Sequence, residues 1–96
     1  MAKFEVEFTT AAENELIEAI NWYEEQQPNL GQRFYNRVKD IINLLSTDPY
    51  LFQVRKSRLR AAFLNPFPYL LIYDVSENQF KVTIYVIHHM MKRNDW

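Results

Sequence analysis

No cysteine occurs among the 96 residues, and its absence removes a disulfide frame, a thiolate nucleophile and a Cys-type zinc site together. Glycine is nearly as scarce: the single Gly31 cannot make a glycine-rich loop of the kind that cradles phosphate. Apolar runs are short, and none approaches the roughly 20 residues that span a membrane. The opening stretch from Met1 to Phe8 alternates charge where a signal peptide needs an apolar block, so a cytoplasmic location is expected. Two histidines do not make a ligand set, and no Ser-His-Asp spacing stands out, so neither a metal nor another cofactor is expected.

What the chain does have is aromatic mass. Seven Phe, six Tyr and two Trp in a chain that is 48% hydrophobic supply one heavy core, enough to fold without a metal or disulfide staple. A chain this short has material for one such core, so residues 1–96 are read as a single domain.

The net charge of -1 conceals a polarised chain. Residues 1–30 carry -6, residues 31–64 carry +5, and residues 65–96 balance. A basic surface able to meet a polyanion or an acidic partner is one reading; a solvated helix face beside an unrelated basic loop is the other.

Phe4, Val6 and Phe8 alternate with Lys3, Glu5 and Glu7, the period-2 pattern of a half-buried strand. Thr10 and Glu13 then read as a capping box. Leu16, Ala19, Ile20 and Tyr23 follow at helical spacing up to Pro28, and Phe34, Val38, Ile41, Ile42 and Leu45 mark a second amphipathic helix ended by Ser46 to Pro49. An irregular stretch is expected from Asp48 to about Lys56. Three strands are predicted after it: Arg58 to Leu64 with Leu59, Ala61 and Phe63 alternating against basic or small residues; the apolar run Phe67 to Val75; and a last strand whose inward face is Phe80, Val82, Ile84 and Val86. The pattern is β-α-α-β-β-β, an α+β domain with an antiparallel helical hairpin packed on a mainly antiparallel four-stranded sheet.

Several segments carry a family resemblance in this order: the Thr-x-x-Glu helix start, Tyr23-Glu24-Glu25, Pro28 to Phe34, Asp48-Pro49, Pro66 to Tyr73, and Val86-Ile87-His88 near Trp96. Together the chain resembles the ParE/RelE superfamily of bacterial type II toxins. Its Leu-Gly-x-Arg-Phe and Pro-Phe-Pro-Tyr segments look closer to the ParE, or plasmid stabilisation, branch. The resemblance implies a toxin neutralised by a cognate antitoxin whose tail wraps it, in a toxin–antitoxin hetero-oligomer. It implies DNA gyrase as the target in the ParE branch and ribosome-dependent mRNA cleavage in the RelE branch. A toxin fold that has lost toxicity and persists as a complex partner is a third reading.

Lys56, Arg58 and Arg60 would sit about 7 Å apart on one face if a single strand carried them all, a spacing that tracks phosphates or carboxylates; the alternative is an edge strand blunted by charge. Arg55 adds a fourth cation. His88 and His89 are adjacent on a strand and so point to opposite faces; His88 continues the expected inward row, as a core residue or as part of a binding cleft. Where the family pattern places an Arg three residues after this His, the chain has Met91, with Lys92 and Arg93 next. The binding surface is therefore read as Arg55, Lys56, Arg58, Arg60, His88, Lys92 and Arg93. For the nuclease alternative, Lys56, Arg58, Arg60 and Arg93 would act with Tyr73 or His88. Tyr69, Tyr73 and Tyr85 otherwise read as packing, and Glu24 and Glu25, as sequence neighbours, do not face each other as an acid–base pair. Inhibition by binding is the favoured function, and whether the chain is an enzyme stays open at this point.

Overall fold

Phe4, Val6 and Phe8 lie half-buried, with Glu5 and Glu7 outward, in the computed structural model, which describes residues 3–91; they define the first strand, β1 (Glu5–Phe8). Thr9 is still extended and gives its N–H to the Ile84 carbonyl at 3.0 Å, so helix α1 (Thr10–Gln26) starts with Thr9 as its cap. The Thr9 hydroxyl accepts the Ala12 N–H at 3.1 Å, which places the cap one residue before the expected Thr10 and takes Glu13 out of the box position.

Leu16, Ala19 and Tyr23 form the buried stripe of α1, and Phe34, Val38, Ile41 and Leu45 that of α2 (Leu30–Thr47). Between the helices Asn29 adopts a left-handed conformation, φ 72°, and offers no side-chain cap. The cap comes instead from Glu24, whose carboxylate accepts the Asn29 N–H at 2.9 Å and the Gly31 N–H at 3.0 Å. An anion is favoured at a helix N-terminus because the unpaired N–H groups and the helix dipole converge there. Gly31 is buried where the helices touch: a methyl group there would lie 2.5 Å from the Ile20 carbonyl oxygen.

Four more strands follow: β2 (Val54–Lys56), β3 (Leu59–Phe63), β4 (Tyr69–Ser76) and β5 (Lys81–His89). The sheet order is β1-β5-β4-β3-β2, with β1 parallel to β5 and the other pairs antiparallel. The sheet thus has five strands rather than four. The extra one, β2, is three exposed residues at the edge, too short to show a periodicity.

Two strand faces differ from expectation. In β3 the residues turned toward the helices are Ala62, paired with the core residue Leu71, and, just beyond, Leu64, while Phe63 stays 46% exposed. Both phases of this strand carry apolar side chains from Ala61 on, so alternation alone could not choose between them. In β5 the register shifts: Ile72 pairs with Val86 but Tyr73 pairs with Ile84, which leaves Tyr85 as an inserted, bulged residue. Val82, Ile84 and Ile87 therefore face the core, Val86 and His88 turn to the opposite face across from Ile72 and Leu70, and Phe80 lies half exposed in the turn before the strand. Helices and sheet enclose a core that centres on Phe34, Ile41, Leu45, Leu71, Tyr73 and Ile84.

Candidate functional site

The basic residues of the middle third fall on the β2–β3 hairpin but not in one row. Ser57, at φ 55°, breaks the strand, so Arg55 and Lys56 belong to β2, Arg58 to the turn and Arg60 to β3. Arg55 and Lys56 are exposed at the sheet edge. Arg58 meets Asp74 of β4 at 3.1 Å; its side chain is mostly in solvent, so the pair contributes little to stability.

Arg60 turns inward. Its guanidinium donates to the Phe52 carbonyl at 2.7 Å and stacks over the Tyr50 ring at 5.1 Å, so it fastens the segment between α2 and β2. Tyr73, its partner across the ladder, is fully buried and donates its hydroxyl proton to the Pro49 carbonyl at 2.8 Å. Burial pushes the Tyr73 phenol up to about 12, against the nearby Arg60 guanidinium.

His88 is half-buried opposite Leu70, three residues along β4 from Tyr73 and two strands from Arg60. Strand spacing puts roughly 14 Å between the Arg60 and His88 backbones. Of the described residues considered for a nuclease, Arg60 and Tyr73 are neighbours but committed to the fold, and His88 is distant from them. Lys92 and Arg93 lie outside the described residues.

A second site lies at the other end of the sheet. β1 pairs with β5 only from Lys81 to Ile84, because the chain leaves at Thr9 to begin α1. Beyond that point α1 leans over the β5 edge, and Glu15 accepts the Ile87 N–H at 3.0 Å. Here a cleft of about 530 Å³ opens between α1 and β5, with Glu15, Glu18, Trp22, Tyr69, His88 and His89 among its lining. Sequence reasoning missed Glu15, Glu18 and Trp22. Their spacing of three and four residues beside the buried stripe Leu16, Ala19 and Tyr23 was the available signal.

This helical hairpin over a mainly antiparallel sheet is similar in fold to chains of solved toxin–antitoxin complexes. The Pseudomonas aeruginosa chromosomal ParDE system is similar at TM-score 0.74 and 16% identity, over 90% of this chain and 95% of that one. The Escherichia coli RelBE complex is similar at TM-score 0.63 and 15% identity, over 94% and 99%. The RelBE2 complex of Mycobacterium tuberculosis gives TM-score 0.56 and 19% identity, over 92% and 99%. No curated protein sequence matches the chain. The chain belongs to the ParE toxin family: the family model described as the ParE toxin of the type II toxin–antitoxin system, parDE, matches residues 6–93.

Proposed function

We propose that the protein is a toxin that inhibits an essential target by binding it, DNA gyrase being that target, and that a cognate antitoxin neutralises it. Family membership over residues 6–93 supports the toxin and its partner. The observation that carries binding over catalysis is the fate of Arg60 and Tyr73. Both side chains are tied to the α2–β2 segment, and the exposed edge of the hairpin carries Arg55 and Lys56. Clustered cations of this kind steer an encounter and hold an acidic or phosphate-bearing surface.

Three assays test the reading. Expression alone should stop growth, and expression with the adjacent small reading frame should restore it; equal growth in both would mean that toxicity is lost. Purified protein should inhibit gyrase supercoiling. Toeprinting on translating ribosomes should show no cut, whereas codon-phased cuts would replace gyrase by the ribosome.

A further inference from the structure

The cleft between α1 and the part of β5 beyond its pairing with β1 joins two features that call for one kind of ligand. Glu15 and Glu18 sit one helical turn apart on its α1 wall, and no lysine or arginine lines it among the described residues. Around the carboxylates stand aromatic surfaces. Trp22 is 53% exposed, and Tyr69 meets the His89 ring edge-on at 4.9 Å. Glu18 is felt across the cleft: the Tyr69 hydroxyl is pushed up by burial first, then by Tyr23 and by the Glu18 charge.

Carboxylates beside aromatic faces select a cation over an anion or a neutral polar group. Among side chains, the flat guanidinium satisfies both parts, donating a fork of N–H groups to carboxylate oxygens and lying against a ring. The two carboxylates disfavour phosphate beside them, so a nucleic acid is a poor occupant. Apolar wall atoms from Ala19, Ile87 and Met91 suit aliphatic neighbours of the cation in a peptide.

We propose that this cleft receives an arginine side chain, flanked by apolar residues, from the cognate antitoxin. The inference rests on the toxin–antitoxin reading above and assigns the antitoxin a chemical anchor at a site separate from the basic hairpin. Glu15, already holding the Ile87 N–H, fixes the α1 wall, and Glu18 with Trp22 provides the discriminating contacts.

The test is a titration of the full chain with two capped peptides, Ac-Leu-Arg-Leu-NH2 and its citrulline counterpart, which has the same shape without the charge. The readout is the NMR signals of the Trp22 indole and the Ile87 and His89 amides. The arginine peptide should move these signals and bind at least tenfold more tightly than the citrulline peptide, and Glu18→Gln or Trp22→Ala should erase the difference. The same two variants should weaken binding of the adjacent frame's product at least tenfold while leaving gyrase inhibition intact. Equal binding of both peptides, shifts at the β2–β3 hairpin instead of the cleft, no binding of either, or unchanged affinity for the antitoxin would each overturn the proposal. The titration needs no toxicity, so a failure of the toxin reading shows in the growth assay and not here.

Discussion

Tyr73, the largest of the fully buried side chains, ties stability to a single proton. Its pKa is pushed up from 10.0 to about 12, so the stability held by the neutral phenol is whole below about pH 10 and drains as pH rises through about 12. Tyr73→Phe should cost about 1 kcal/mol at neutral pH through the lost bond to Pro49 and flatten the alkaline limb of the stability curve. Denaturant titrations across that range check it, and a limb as steep as the parent's would contradict the assignment. Gly31→Ala sets two effects against each other. Helix propensity alone would stabilise by about 1 kcal/mol, but the methyl would lie 2.5 Å from the Ile20 backbone oxygen, and overpacking of that kind costs about 1–3 kcal/mol. The clash wins, and thermal melting should show a net loss. Among the cations, Arg60→Ala should cost about 1.5–3 kcal/mol because the Phe52 carbonyl loses a charged donor. Arg55→Ala and Lys56→Ala should stay within about 0.5 kcal/mol yet weaken gyrase inhibition. Melting curves beside the supercoiling assay separate the two classes.

The helices were the elements most legible in the sequence, since each repeats its buried residues at a spacing that only a helix brings to one side. Phe34→Ala, which empties a fully buried position against Tyr23, Phe67 and Tyr69, should cost about 3–5 kcal/mol and abolish activity by unfolding; circular dichroism against temperature measures it. The strands were legible as segments but less so in phase. A bulge such as that at Tyr85 carries no mark where both flanking residues, Ile84 and Val86, are apolar, and it alone reverses the facing of Val86 and His88. The three residues of β2 were invisible for another reason: a charged edge strand gains its identity from the ladder beside it, not from its own pattern. As for the site, charge counting found the hairpin, but only tertiary contacts reveal that Arg60 serves the fold. The cleft escaped because Trp22 entered only the overall aromatic count and Glu15 and Glu18 only a charge total.

Across the whole molecule the early acidic and middle basic segments give an uneven field, with the acidic cleft and the basic hairpin on different strands of one sheet. Association with the antitoxin should slow as salt rises from about 0.05 to 0.5 M, and the Arg55→Ala, Lys56→Ala double variant should respond to salt differently from the parent; stopped-flow mixing measures both. The parallel pairing of β1 with β5 bears on how the protein is made. Thr9 and Tyr85, joined by a hydrogen bond, lie 76 positions apart, and Glu5 has no ladder partner until Lys81 exists. A nascent chain arrested before Lys81 should hold no protease-resistant core, because long-range pairing cannot repay its loop-closure entropy until both strands are present. The sheet therefore stays open beside β1 until Lys81 has been made, and under the proposed reading an antitoxin present during synthesis would meet the toxin as the sheet first closes.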